Sequence, residues 1–217
     1  MWVAYSGSGR PAIVDVSLSV PLGVMVLVTG PNGAGKTTLL ETCLGLLKPV
    51  RGRALLLGVD TRSRGIVEAR RRCSYVPQDF MRAPHESYTA RRVIELGLAL
   101  SPLGAKAAAE RVEWAAKLLG IEDLLDRPIG TLSGGEQQKV YIARAMARRP
   151  DVLFLDEPFS SLDRESRAAV AKAIREYVNE RGATALVVSH DVSPVLSLVD
   201  TIVRMSGGKI VEVGRRA

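Results

Sequence analysis

The segment GPNGAGKT, Gly30 to Thr37, constrains this chain more than any other part of it. It matches GxxxxGK[ST] and follows a short apolar run, Val24 to Thr29, that reads as a strand buried on both faces. A helix should follow from Gly35 to about Leu47, stopped before Pro49. A strand, a glycine-rich turn and a helix in that order are the context the pattern needs. The glycines let the backbone curl until successive N–H groups point at phosphate oxygens, and the helix adds its positive end. On this reading Gly30, Asn32, Gly33, Ala34, Gly35 and Thr38 belong to a nucleotide-binding stretch. Lys36 neutralises the outer phosphates, and Thr37 offers its hydroxyl to Mg²⁺.

The rest of the chain repeats the strand-helix alternation. Val152 to Leu155 and Ala185 to Val188 are further buried-strand runs. Between them, Val170, Ala173, Ile174 and Tyr177 fall on one face of a helix predicted over Arg164 to Arg181. This pattern argues an α/β domain with right-handed crossovers. The middle, about Arg82 to Arg149, shows no convincing strand and reads as a helical insertion. There Thr89 caps a helix through Ala99, and Val112, Ala115, Ala116 and Leu119 line another that Gly120 ends. Ile202 to Met205 and Lys209 to Val213, around Gly207-Gly208, suggest a closing hairpin. A length of 217 residues fits one domain of generous size or two small ones, and is enough to bury a real core.

Charge and cysteines narrow the function classes. The net charge of +7 would fit a nucleic-acid or anionic-membrane partner. Only Arg70, Arg71 and Arg72 form a run, however, and no aromatics interleave with it as a stacking platform requires, so no nucleic acid is expected. Cys43 and Cys73 lack CxxC spacing and read as reduced packing residues. Pro21, Gly23, Gly30 and Pro31 interrupt the longest charge-free stretch, Val16 to Gly35, so no transmembrane helix is expected. The start MWVAYSGSGR has no basic region followed by an apolar run, and the expected location is cytoplasmic.

Two further motifs carry chemistry. VLFLDE, Val152 to Glu157, ends a strand in two carboxylates where a parallel sheet opens its ligand crevice. Asp156 is placed for the metal, and Glu157, pointing elsewhere, for the general base that activates water. LSGGEQQ, Leu132 to Gln138, leads into a helix running to about Arg148. Ser133, Gly134 and Gly135 offer a second set of N–H groups for an anion. The same residues also read as a plain cap, with Ser133 as N-cap and Glu136 completing a capping box.

The order GPNGAGKT, YVPQ with Gln78, LSGGE, VLFLDEP, SSLD at Ser160 to Asp163 and SHD around His190 resembles the ATP-binding cassette family over essentially the whole chain. The resemblance implies a P-loop NTPase, RecA-like α/β core, an antiparallel β subdomain near the N-terminus and an inserted helical signature subdomain at about 82–149, all in one cassette of residues 1–217. It further implies that Tyr5 stacks on adenine and that Gln78 touches metal and water. His190 would meet the γ-phosphate, and Asp163 would reach the other subunit's site.

Two anion pockets on different subdomains suggest pairing. If one chain cannot bring them together, two chains about a two-fold axis can, each lending its signature to the other's ATP. The expected assembly is a homodimer, or a pair with a related subunit, formed on ATP. The similarity implies a transporter ATPase peripheral on the inner face of the cell membrane, serving a separate permease, with the metal-ion importer branch favoured by the YVPQ context. In that setting Asp79 to Tyr88 would face the permease. A soluble, non-transport ATPase of the iron-sulfur assembly type is the alternative.

Overall fold

The computed structural model describes residues 1–5, 7, 10–78, 87–193 and 195–215. In chain order its strands are β1 (Met25–Thr29), β2 (Leu55–Leu56), β3 (Val59–Asp60), β4 (Cys73–Val76), β5 (Val152–Asp156), β6 (Thr184–Val188), β7 (Thr201–Ser206) and β8 (Lys209–Arg215). Its α-helices are α1 (Lys36–Cys43), α2 (Ile66–Arg71), α3 (Ala90–Leu96), α4 (Ala105–Leu119), α5 (Gly134–Ala147) and α6 (Arg164–Arg181). The main sheet runs β4-β5-β6-β1-β7-β8. Its pairs are parallel from β4 to β7, and β8 closes one edge antiparallel.

Helices cover both faces of the central strands β1, β5 and β6, which is why these are buried along their whole length. In β1, Met25 and Leu27 join the cluster formed with α3, α4, α5 and α6, while Val26 and Val28 join the one formed with α1, α2 and the N-terminal residues Val3 and Ile13. Burying each such side chain stabilises the fold by about 2 kcal/mol. The helical faces read from the sequence are the buried ones: Val170, Ala173, Ile174 and Tyr177 on α6, and Val112, Ala115, Ala116 and Leu119 on α4. Gly120 ends α4 in the left-handed region at φ 61°. Among the described residues of the middle segment there is no strand, only an isolated bridge from Thr89 to Pro128, and its apolar residues join the same cluster as one face of the sheet.

The helix after the glycine-rich turn is shorter than predicted, ending at Cys43 and not near Leu47. Gly45 takes φ 69°, its N–H bonds Thr42 O, and Leu46 N–H bonds Glu41 O, so a Schellman turn stops the helix before Pro49 matters. Arg70 then donates to the carbonyls of Leu44 and Gly45 beside this C-terminus. Arg71 pairs with Glu68 and Arg72 with Asp151. All three arginines of the basic run are thus engaged within the chain.

Strand β4 was not legible in advance, being four residues long and placed between that arginine run and Pro77. The antiparallel layer is small. It consists of the β2-β3 ribbon, turned by Leu57 and Gly58 at φ 51° and 80°, with isolated bridges from Trp2 to Arg51 and Val3 to Ile13. Both cysteines are free, and burial pushes the Cys43 thiol up to about 11 and the Cys73 thiol to about 12. Among the described residues no helix is long and apolar enough to cross a membrane.

Candidate functional site

Four neighbouring strands, β4, β5, β6 and β1, run parallel, so their carboxyl ends open on the same side. Gln78 follows β4, Asp156 and Glu157 end and follow β5, His190 follows β6, and Gly30 to Thr38 follow β1. These residues line one cavity of about 700 Å³, together with Tyr5 and Ala12.

The glycine-rich turn is held tightly from behind. Gly30, Gly33 and Gly35 have φ of 150°, 77° and 94°. A Cβ on Gly30 would lie 2.1 Å from the Met205 carbonyl oxygen, and one on Gly35 would lie 2.8 Å from that of Ala12. Gly30→Ala is therefore expected to destabilise the fold by about 3 kcal/mol, near the upper end for overpacking, since backbone must move on both sides. Urea unfolding of the two proteins measures it, and an unchanged midpoint would contradict this packing.

Gly35 is the N-cap of helix α1, which has no side chain capping its N–H groups and no acidic residue in its first turn. Its positive end is left for an anionic ligand. Lys36 is buried, and its Nζ donates to the carbonyls of Gly30 at 2.8 Å and Pro31 at 3.1 Å. The next side chain, Thr37, donates its hydroxyl to Asp156 Oδ2 at 2.7 Å. Asp156 Oδ1 is buried without a hydrogen-bond partner. Burial pushes the Asp156 carboxyl up, against the Thr37 hydrogen bond. A hydroxyl, a carboxylate and an orphaned buried oxygen form the hard donor set that suits Mg²⁺.

Glu157 turns away from its neighbour. It takes a left-handed φ of 49°, a conformation that is uncommon for a non-glycine residue, while its N–H bonds Val188 O. Its carboxylate then meets the end of β6. Oε1 accepts from the His190 backbone N–H at 3.1 Å, and Oε2 lies 2.9 Å from His190 Nδ1. Glu157 is buried while the His190 side chain is 64% exposed, so the histidine caps the carboxylate on its open side. Tyr5 OH lies 2.9 Å from Thr38 Oγ1, also donates to Glu41, and leaves its ring partly exposed at the cavity wall.

The other candidate residues lie apart from this cavity. Ser133 and Glu136 form the capping box on α5, with Ser133 N–H donating to Glu136 Oε2 at 2.7 Å and Glu136 N–H to Ser133 Oγ at 3.3 Å. Gly134 and Gly135 open that helix, and a Cβ on Gly135 would come 3.0 Å from Ser161 O. Asp163 caps α6, its Oδ1 accepting from Ser166 N–H at 2.8 Å. Of Asp79 to Tyr88, residues 79–86 lie outside the described residues. Sequence reasoning missed the Ala12 carbonyl, which packs against both Gly35 and Gly208, because a backbone contact leaves no side-chain signal.

A glycine-rich loop between a central parallel strand and its helix, facing carboxylates at the end of β5, one strand beyond its neighbour β6, defines a P-loop nucleotide-binding protein. The family model described as ABC transporter matches residues 13–160, and the chain belongs to that family. Over 200 residues it is 40% identical to the molybdate/tungstate import ATP-binding protein WtpC of Pyrococcus horikoshii, covering 92% of this chain and 57% of the relative. Over 215 residues it is 41% identical to the Fe(3+) ions import ATP-binding protein FbpC of Pseudomonas fluorescens, covering 96% of this chain and 58% of that protein. The chain therefore spans a little over half the length of these relatives. The dimeric structure of MJ0796, a bacterial ABC transporter cassette, superposes with a TM-score of 0.88 at 26% identity, covering 100% of this chain and 97% of the cassette. The same cassette is known as a dimer in a post-hydrolysis state bound to ADP and Pi.

Proposed function

We propose that this chain is the ATP-hydrolysing subunit of an importer of inorganic ions. It works as one cassette with its helical subdomain at about 82–149, paired with a second copy or a related subunit on the cytoplasmic face of a membrane permease. The convergence of Lys36, Thr37, Asp156, Glu157 and His190 on one cavity carries this reading. Transport, in preference to a soluble iron-sulfur role, is supported by its relatives WtpC and FbpC, both import ATP-binding proteins.

ATP enters with its phosphates against the open N-terminus of α1, and Lys36 leaves its two carbonyls for the β- and γ-phosphates. The Tyr5 ring stacks on adenine. Thr37 and Asp156, with Gln78, would hold Mg²⁺, which when bound neutralises charge on the phosphates. Glu157 accepts a proton from the attacking water as its oxygen bonds the γ-phosphorus, and the bridging oxygen departs with ADP. His190 keeps Glu157 oriented through Nδ1 and leaves Nε2 for the γ-phosphate.

Because Ser133, Gly134, Gly135 and Asp163 lie outside their own cavity, each chain lends them to the other's ATP. Gly134→Asp tests this cleanly. A Cβ on Gly134 has room, 3.7 Å from the Ser161 Cβ, and an acidic residue in the first turn favours α5. The variant should fold at least as stably and bind Mg-ATP as the parent does. It should lose ATP-dependent dimerisation and at least about tenfold in hydrolysis, because like charges juxtaposed across an interface cost several kcal/mol. Sizing chromatography with Mg-ATP and a phosphate-release assay measure both, and full dimerisation would reduce the signature to a helix cap.

A further inference from the structure

Outside the cavity, one side chain joins the two loops on which this function depends. Arg167, in the first turns of α6, donates from Nε to Leu162 O at 2.8 Å and from Nη1 to Asp191 Oδ2 at 2.7 Å. Leu162 is buried, and its carbonyl leads directly into Asp163. Asp191 follows His190. Its second oxygen, Oδ1, accepts from Ser193 N–H at 3.0 Å and Ser193 Oγ at 2.6 Å, and its backbone carbonyl accepts from Ser189 Oγ at 2.8 Å. The hydrogen bonds from Ser193, with the Arg167 charge beside them, hold the Asp191 carboxyl below the usual carboxylate range. His190 is thus enclosed in a knot of hydrogen bonds running from Ser189 to Ser193, and Arg167 is that knot's tie to the SSLD loop.

The loop end of this tie is also in contact with the signature. The backbone of Gly135 packs so closely on Ser161 that a Cβ would come 3.0 Å from its carbonyl oxygen. The other end is in contact with the hydrolytic pair, since the His190 backbone N–H and Nδ1 are the groups that hold Glu157. A chain of direct contacts therefore runs from Gly135 through Ser161 and Leu162, across Arg167, to Asp191, His190 and Glu157.

We infer that Arg167 is a positioning residue that couples the partner-facing loop Ser160–Asp163 to the Glu157–His190 pair of its own chain, an inference that rests on the paired-site reading above. When a second chain presses on Ser161 to Asp163, Arg167 carries the displacement to Asp191 and so to the base. Each chain then readies its own hydrolytic pair when it docks, and the two ATP sites act together. The guanidinium is suited to this because two of its nitrogens reach in different directions at once, which an ammonium does not reproduce. The Arg167 and Asp191 side chains are about a third exposed, so the pair contributes little to stability. Loss of coupling should therefore separate from loss of fold.

The test compares Arg167→Met, Asp191→Asn, the double variant and Arg167→Lys with the parent. Arg167→Met should lower kcat about tenfold with KM for ATP within about twofold, the size of an ordinary coupling between sites. Asp191→Asn should behave alike, and the double variant should be no worse than the more impaired single, because both remove one link. Arg167→Lys should recover only part of kcat. In a Glu157→Gln background, Arg167→Met should still form the ATP-dependent dimer, and its thermal unfolding midpoint should match the parent's. A parent-like kcat in Arg167→Met, additive losses in the double variant, or full activity in Arg167→Lys would overturn the coupling. So would a joint fall in ATP affinity, unfolding midpoint and kcat, the signature of a mere strut. If Glu157→Gln alone forms no dimer with ATP, the paired-site reading itself fails, a result distinct from each of these.

Discussion

Lys36→Ala is expected to weaken Mg-ATP binding by at least about a hundredfold in isothermal titration. A charge-assisted hydrogen bond to an ionised group is worth about 1.5–3 kcal/mol, and a lysine serving two phosphates supplies two. Each 1.4 kcal/mol is tenfold in affinity, so even the low estimate for the pair reaches that factor. In the absence of nucleotide the same Nζ satisfies the carbonyls of Gly30 and Pro31. The fold therefore loses something as well, at about 1 kcal/mol per hydrogen bond before water replaces the donor. Lys36 is only 7% exposed, so its removal is felt by the fold as well as by the ligand. A thermal shift of a few degrees with affinity down at least about a hundredfold is the expected pair of results. Unchanged affinity would remove the phosphate assignment from this loop.

Glu157→Gln should slow phosphate release by two or more powers of ten, the range typical of a lost general base, while the ATP-bound dimer persists on a sizing column. The substitution keeps the side chain's shape, and the amide oxygen can still accept from the His190 backbone N–H. What disappears is basicity and one negative charge beside Asp156 and the γ-phosphate, so closure is favoured as its release is blocked. The left-handed backbone at residue 157 costs the same in both proteins and does not confuse the comparison. Turnover at the parent rate would transfer the role of base to another group, with His190 next in line.

Much of this site was legible because its residues sit in short, contiguous motifs whose context could be checked. Gly30 to Thr38, Asp156, Glu157, Gln78 and His190 all line one cavity because four strand ends place them there. Long elements with one apolar face, α4 and α6, were equally plain. Short ones were not: β4 has four residues and an arginine run before it, and the stop of α1 depends on the left-handed turn at Gly45. At LSGGE the sequence left two readings open; the capping box is formed, and the anion site there belongs to the proposed pairing of two chains. Arg167 carried no signal, because a guanidinium joining a backbone carbonyl to a carboxylate 24 residues away is written in no local pattern.

The glycine-rich turn leans on residues that come far later in the chain. Gly30 packs under the carbonyl of Met205, Gly208 N–H donates to Ala34 O at 3.2 Å, and β1 lies between β6 and β7, both drawn from the last fifth of the sequence. During synthesis the motif leaves the ribosome early with only Ala12 and Ile13 behind Gly35, and the support under Gly30 is missing until the hairpin of β7 and β8 has emerged. Such distant pairings also set in slowly. A nascent chain is accordingly unable to shape its phosphate cradle before nearly all of the cassette exists, and nucleotide selects finished molecules over growing ones.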